Sequence, residues 1–488
     1  TGSYPAQVSE LKAQYRDGQT FITWNEIGGS DPETAYRVYR HSAPITADNL
    51  SAAELIDEVA PDSASFPRLL LSDWITSSRL GTPFSNGPLA VGVGLYVYTV
   101  ESAGTHYYAA TSLVRGNENR AIASGNSSGP VTESVAAVSP VLQAKEFSDS
   151  FASGSRQVFA VWLGRFDPTG RYANYGYNNR RSVPYLFRVI TPEVWEPSVS
   201  YPMLVFFHFF SDSYVGGGRN VAQPRFVLTA DDFDSQITAN LYGHSIWYGY
   251  NSNYGTRRSP TEGIVINYTE RRVDWIIDWV MNRSSVFKID ANRVYMQGGS
   301  MGGAAQWSYG VRRPNLFAAG MSDVPGVNLN FDPDRRHFPL FGWEPNIMTN
   351  DGMTVRERVN AGAYATANAA DLPLMYMFAR KGDANILWAQ MPDFFRAMDD
   401  SRHIGGTLYW LQGDHISGEN PWGVFSEWSS EQEYEDWIYQ FVRSQSYPAF
   451  SHFSLNGNPG DGNPSNGEPR GGFCLLYTSP SPRDRTRS

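Results

Sequence analysis

The sequence predicts an α/β fold, a mostly parallel sheet flanked by helices, preceded by a small all-β sandwich. Three observations carry this reading. Up to about residue 115, short segments of alternating polarity are separated by turn residues. Beyond residue 130, apolar runs of strand length alternate with segments of helical period. At 488 residues, 41% hydrophobic and 18% charged, the chain is long enough for two or three domains with a sizeable core.

The elements follow in order. "TFITWNEI" places Ile22 and Trp24 on one face, "AYRVYR" does the same with Tyr36 and Val38, and "GLYVYTVESAG" and "HYYAATSLV" complete the first set. "GNENRAIASGNSSGP" (116–130) has the composition of a polar linker. "QVFAVWLGRF", "PYLFRVITP" and "PMLVFFH" predict three strands, the last apolar enough to be buried on both faces. "RRVDWIIDWVM" repeats Val273, Ile276, Ile277 and Val280 at helical spacing. Strand "RVYMQ", helix "AAQWSYGVRR", strand "LPLMYMFA", helix "AQMPDFFRAMDD", strand "GTLYWLQ" and a closing helix in "YEDWIYQFV" complete the alternation. The predicted organisation is a sandwich over 1–115, a linker over 116–130, an α/β domain over 131–447, a Gly/Pro/Asn linker over 448–473, and a terminal segment over 474–488 outside the fold. That last segment resembles translated sequencing-adapter read-through, and a further domain is expected to have followed.

Charge and cysteine usage exclude several functions. A net charge of −10 argues against a nucleic-acid partner. No apolar run approaches a membrane span. The single cysteine, Cys474, allows neither a disulfide framework nor a thiolate metal site. The Asp and Asn residues of the second linker lack calcium-loop spacing, and Gly216–Gly218 lack the Lys-Ser/Thr of a phosphate loop, so no metal or cofactor is expected. The chain starts without an initiator methionine, as expected after removal of a targeting segment.

The chemistry centres on "VYMQGGSMGGAAQW" (294–307). Gly298-Gly299-Ser300-Met301-Gly302 fits Gly-x-Ser-x-Gly, but so does Gly125-Asn126-Ser127-Ser128-Gly129. Only Ser300 follows a predicted strand and opens a predicted helix, the setting of a strained turn that exposes a serine. Glycine at 298 and 302 would avoid collisions across that turn. A serine needs a base. His415, in the loop after the last strand, is preferred over His403, which precedes that strand, and His452, which follows the closing helix. The carboxylate that orients the base is expected to be Asp383, with Asp323 as runner-up; Asp414 is adjacent to His415 and badly placed for side-on pairing.

These residues resemble those of the α/β-hydrolases, nearest to secreted polyhydroxyalkanoate depolymerases, feruloyl esterases and related polyesterases. The resemblance covers about 130–447 and implies a serine carboxylesterase with oxyanion donors from the amides of Met301 and Phe209. Relatives often carry His-Gly where this chain has His208, Phe209 and Phe210, so Phe209 and Phe210 are expected to shape the acyl pocket, with His208 structural. Trp24, Tyr36–Arg40 and Tyr96–Tyr98 in turn resemble a fibronectin type III domain. It would serve as a spacer or as an appendage for an insoluble polymer or polysaccharide surface.

Two aromatic inserts bear on substrate. "LYGHSIWYGYNSNYG" carries Trp247 and Tyr250, "FGWEPN" carries Trp343, and Trp388 follows the predicted acid. They are candidates for a substrate-stacking platform, with packing of the insert as the alternative. The partner expected is a polymeric or oligomeric ester, outside the cell. The rivals are a serine peptidase of the prolyl oligopeptidase type, which shares "GGSMGG", a lapsed hydrolase that only binds, and an acyltransferase.

Overall fold

The computed structural model describes residues 4–474, apart from 30, 147–154, 193–195, 197, 217–223, 238–242, 284, 332–337, 343–345, 369–370, 402–404, 421–429, 431–432, 434–435, 437, 446 and 448–456. The chain divides into two compact units, residues 1–146 with 157–186, and 147–156 with 187–488.

The first unit holds two antiparallel sheets. β1 (Ser9–Arg16), β2 (Gln19–Asn25) and β5 (Val93–Thr99) form one. β4 (Glu54–Val59), β3 (Thr34–His41), β6 (Gly104–Val114) and β7 (Asn117–Glu118) form the other, with β8 (Ser127–Glu133) also paired to β6. Ile22, Trp24, Tyr36, Val38, Tyr96 and Tyr98 fill one core contributed by both sheets, on the faces that the alternation predicts. Beneath it, the buried Glu133 carboxylate takes Arg40 Nη2 at 2.8 Å and the hydroxyls of Thr20 and Tyr108. β9 (Val141–Glu146), β10 (Arg156–Leu163) and the first half of β11 (Val183–Ile190) are neighbouring strands, and Gln19 Nε2 donates to Trp162 O at 2.8 Å within this unit.

This corrects the expected domain boundaries. Residues 116–130 are no linker: they carry β7 and the start of β8, and Asn126 donates from Nδ2 to Ala110 O. Their Gly, Ser and Asn content reflects tight turns between paired strands.

The second unit is built on a sheet ordered β20-β19-β18-β17-β16-β12-β13-β11. Its strands are β12 (Tyr201–Phe206), β13 (Phe226–Ala230), β16 (Ile289–Gly299), β17 (Ala319–Asp323), β18 (Leu374–Arg380), β19 (Gly406–Leu411) and β20 (Gly471–Cys474), with a separate small pair, β14 (Tyr250–Asn251) and β15 (Val265–Ile266). β13, β12, β16, β17, β18 and β19 run parallel; β11 and β20 run antiparallel at either side. Helices α1 (Tyr268–Met281), α2 (Met301–Ser308), α3 (Phe338–Phe341), α4 (Val355–Arg358), α5 (Ala361–Ala367) and α6 (Met391–Ser401) lie between strands in the chain. Val273, Ile276, Ile277 and Val280 of α1 are all buried, the stripe its period predicts. Of the expected closing helix at 434–442, residues 434, 435 and 437 lie outside the described residues; Asp436 and Ile438 are helical, whereas 439–440 form a turn and 441–442 are irregular, so the helix ends earlier than its period predicts.

Parallel register aligns the carboxyl ends of the strands. Gly299 pairs with Asp323, Asp323 with Phe378, and Arg380 with Leu411. Side chains that follow these ends therefore converge on one edge of the sheet, where open α/β sheets bind ligands.

The expected Gly/Pro/Asn linker and the boundary at 474 are also corrected. Residues 457–470 run as turns over the sheet, and β20 pairs with β19 through Trp410↔Gly471 and Thr407↔Cys474. Trp410 Nε1 donates to Glu468 O, Trp388 Nε1 to Pro459 O, and Lys381 Nζ to the carbonyls of Asn466 and Glu468. A Cβ on Gly471 would sit 2.3 Å from the Trp410 ring, so glycine here permits close packing rather than flexibility.

Candidate active site

Ser300 joins β16 to α2 with φ +53° and ψ −118°, a backbone that costs a non-glycine residue about 1–3 kcal/mol. The turn is held by its neighbours. Ser300 N–H donates to Asp323 O at 2.8 Å, and Ser300 O accepts from Ala304 at 2.9 Å. A Cβ on Gly302 would lie 2.0 Å from Phe207 O, and one on Gly298 2.5 Å from the same atom. Both glycines are thus required by backbone that cannot retreat.

His415 Nε2 lies 2.8 Å from Ser300 Oγ, and Nδ1 lies 2.6 Å from Asp383 Oδ2. The other Asp383 oxygen accepts from the amides of Asn385 and Ile386, both at 2.8 Å. A buried carboxylate so held fixes the imidazole tautomer, with the proton on Nδ1 and a lone pair on Nε2 facing the serine. Asp323, the runner-up, contributes its carbonyl to Ser300. His403 and His452 lie outside the described residues.

The loop that carries His415 is fixed from below by Arg380, at the end of β18. Its guanidinium donates to the carbonyls of Asp414, His415 and Glu419 and to Asn420 Oδ1. Burial lowers its pKa against the charges of Asp323, Asp383 and Asp414. Asp414 shapes the turn itself. Its Oδ1 accepts from Ser417 N at 2.7 Å and Ile416 N at 3.1 Å, and the Ser417 amide and hydroxyl hold its carboxyl below the usual range.

Ser300, Met301 and His415 line a cavity of about 480 Å³ together with Phe209, Phe210, Ile246, Leu329 and Ile386. Met301 is the first residue of α2, so its N–H has no carbonyl partner within the helix. The Phe209 peptide is fixed by its carbonyl, which accepts from Asp212 N at 3.1 Å and lies 3.0 Å from His208 Nδ1. His208 is fully buried. Its Nε2 accepts from Asp232 N, and its carbonyl takes Trp247 Nε1.

One wall was not foreseen. Ile246 and Trp247 both have left-handed backbone, φ +55° and +58°, which is strained for a β-branched or bulky side chain. The buried Asp232 carboxylate holds that turn by accepting from Ser245 N, Trp247 N and the Ser245 hydroxyl. Burial pushes Asp232 up to about 6 against these donors and the charge of Arg272. The turn presents Ile246 to the cavity.

The aromatic platform is largely corrected. Trp247 is 1% exposed and Tyr250 fully buried, with its hydroxyl donating to Asp234 Oδ2 at 3.0 Å. Trp388 is 2% exposed, under residues 457–470. Their N–H and O–H groups find internal acceptors, so they pack the inserts onto the unit. Of the expected substrate-binding residues Phe210 alone lines the cavity, and Trp343 lies outside the described residues, as do Gly217 and Gly218. No group of three or more metal-ligating side chains, and no helix long and apolar enough to cross a membrane, occurs among the described residues.

A strand–serine–helix turn, a histidine bridging serine and aspartate, and the chain order Ser, Asp, His define a serine hydrolase of the α/β-hydrolase class. Residues 266–435, which contain Ser300, Asp383 and His415, match the prolyl oligopeptidase family, Peptidase_S9. Among solved structures, the chain is similar to an S-formylglutathione hydrolase from Agrobacterium tumefaciens, at 16% identity and TM-score 0.44 over 62% of this chain and 99% of that one. It is also similar to a ferulic acid esterase (13% identity, TM-score 0.34, covering 59% and 97%) and to dipeptidyl peptidase 4 of Porphyromonas gingivalis (11%, TM-score 0.36, 87% and 62%). No curated protein sequence matches the chain.

Proposed function

We propose that the protein is a secreted serine carboxylesterase acting on esters with an apolar acyl group, in an extracellular polymer or its fragments. Ser300 Oγ attacks the ester carbonyl as His415 Nε2 takes its proton, and His415 then delivers that proton to the leaving alcohol. Asp383 stabilises the imidazolium. The amides of Met301 and Phe209 hold the oxyanion. Water, deprotonated by His415, then releases the acid and restores Ser300. This chemistry requires no metal or cofactor.

The observation that carries the reading is the His415 bridge between Ser300 and Asp383, set in a cavity lined by Phe, Ile, Leu, Val and Met side chains. The peptidase reading has the family match in its favour. An enzyme that removes N-terminal dipeptides must hold an ammonium group, which calls for carboxylates at the cavity wall. The described lining contains neither carboxylate nor lysine nor arginine. Phe209, 50% exposed, and Ile416, 88% exposed, add apolar surface at the site and support a polymeric rather than a freely soluble substrate. The strand orders of the first unit support a fibronectin type III-like module, read as a surface-binding appendage or spacer.

The test compares p-nitrophenyl butyrate and octanoate with Ala-Pro p-nitroanilide, followed by hydroxyalkanoate, aromatic polyester and feruloylated polysaccharide substrates. We expect kcat/KM for the esters to exceed that for the anilide by at least about 100-fold. The reverse preference would replace this reading with the peptidase one.

A further inference from the structure

A second pocket of about 480 Å³ lies in the second unit, away from the catalytic cavity. It is lined by Tyr201 at the start of β12, by Arg225 immediately before β13, by Arg293 in β16, and by Asp436 and Tyr439. These mark the opposite end of the strands from Ser300: Arg293 precedes the serine by seven positions along β16, about 23 Å at strand spacing.

Arg225 sets this pocket apart. It is 3% exposed, yet none of its three guanidinium nitrogens has a hydrogen-bond partner among the described residues. Its guanidinium lies over the Tyr439 ring, whose centroid is 3.7 Å from Cζ. That ring is itself fixed, since Tyr439 donates from its hydroxyl to Gln297 Oε1 at 3.0 Å. A ring face attracts the cation but cannot accept the five N–H groups in the guanidinium plane. The other arginine is already engaged: Arg293 Nε donates to Asp290 at 2.8 Å and Nη2 lies 3.5 Å from Ser200 O. A buried charge with a planar fork of unused donors, lining an open pocket, is a receptor for an oxyanion.

We propose that this pocket binds a small singly charged oxyanion, with Arg225 as its anchor. Asp436 narrows the class. Its carboxylate lines the same space and disfavours a dianion, while a ligand bearing a hydroxyl can donate to it. The chemistry is therefore a hydroxylated monoanion, met equally by a hydroxycarboxylate and by dihydrogen phosphate. Site and proposal are independent of the ester reading.

The test is calorimetric titration of the full chain at pH 6 with 3-hydroxybutyrate, inorganic phosphate, acetate and sulfate. Catalytic-cavity binding is kept out by using the chain with Ser300 capped by an apolar boronate, which bonds to Ser300 Oγ. We expect 3-hydroxybutyrate or phosphate to bind more tightly than acetate and sulfate, with phosphate alone or the hydroxy acid alone identifying the source. Arg225→Leu should weaken that binding by at least about tenfold while leaving ester hydrolysis in the otherwise wild-type protein unchanged. Arg225→Lys, which keeps the charge and loses the fork, should bind with intermediate affinity and covers the case in which the leucine variant does not fold. Undiminished binding in the lysine and leucine variants, or no heat from any of the four anions, would overturn the proposal.

Discussion

Two segments of this chain carry the same five-residue pattern, and they do unrelated things. At 298–302 the serine sits between a strand and a helix with φ +53°, and its hydroxyl faces His415. At 125–129 the serine begins β8, pairs with Ala109, and donates its hydroxyl to Ala123 O at 2.8 Å. Around it, Gly125 O accepts from Leu11 N and Ser128 Oγ from Ala13 N. One pattern is a strained bend aimed at a cavity; the other stitches β-strands together. Small residues permit both, and the difference comes from what the backbone does on either side.

That contrast can be broken most directly at the serines. Ser300→Ala should lower kcat for a p-nitrophenyl ester by about 10⁶-fold. Ser127→Ala should leave kcat unchanged, and equal activity of the two variants would remove the distinction. The next effect tests whether the partner, rather than the bend, makes the difference. Asp383→Asn preserves the shape but favours the wrong imidazole tautomer, so kcat should fall by about 10⁴-fold with KM little changed.

Glycine sharpens the comparison through stability. Gly302→Ala drives a methyl against Phe207 O and should cost about 1–3 kcal/mol in urea unfolding, together with a loss of kcat. At Gly125 the nearest atom to an added Cβ is 4.0 Å away, so Gly125→Ala should be nearly neutral. The smallest effect concerns the turn beside the base. The folded-state pKa of Asp414 is depressed, so its contribution is present above the ordinary aspartate range and lost as pH falls through the depressed value. Hydrogen exchange at the Ile416 and Ser417 amides should be slow at neutral pH and quicken on acidification. In Asp414→Ala it should already be fast at pH 7, with kcat reduced about two- to fivefold.

What the sequence made legible was local. The strand before Ser300, the helix after it and the order of Ser300, Asp383 and His415 all follow from period and position, and the structure brings those three side chains within hydrogen-bond reach. What it hid depends on contacts between distant parts of the chain. Arg380 gives no signal in "FARKGDANILW" that it will reach the carbonyls of residues 414, 415 and 419. Asp232 is one of three acids in "ADDFD", and only the fold shows which of them supports the Ile246 turn. Ring-rich, glycine-rich inserts looked like a binding platform because composition does not reveal burial; Trp247, Tyr250 and Trp388 are all inside. The glycines of 457–472 misled in the same way, since a residue that can flex is also one that lets backbone approach a tryptophan.

β20 has a practical consequence. By running antiparallel along β19 it occupies hydrogen-bonding groups that would otherwise face solvent, and it covers Trp410 and Phe395 with Phe473. Trimming the chain at residue 456, as its Gly/Pro/Asn composition invites, would bare a flat parallel margin with aromatic side chains beside it. Material shortened there should self-associate edge to edge and precipitate, whereas a fusion placed beyond residue 474 should remain monodisperse.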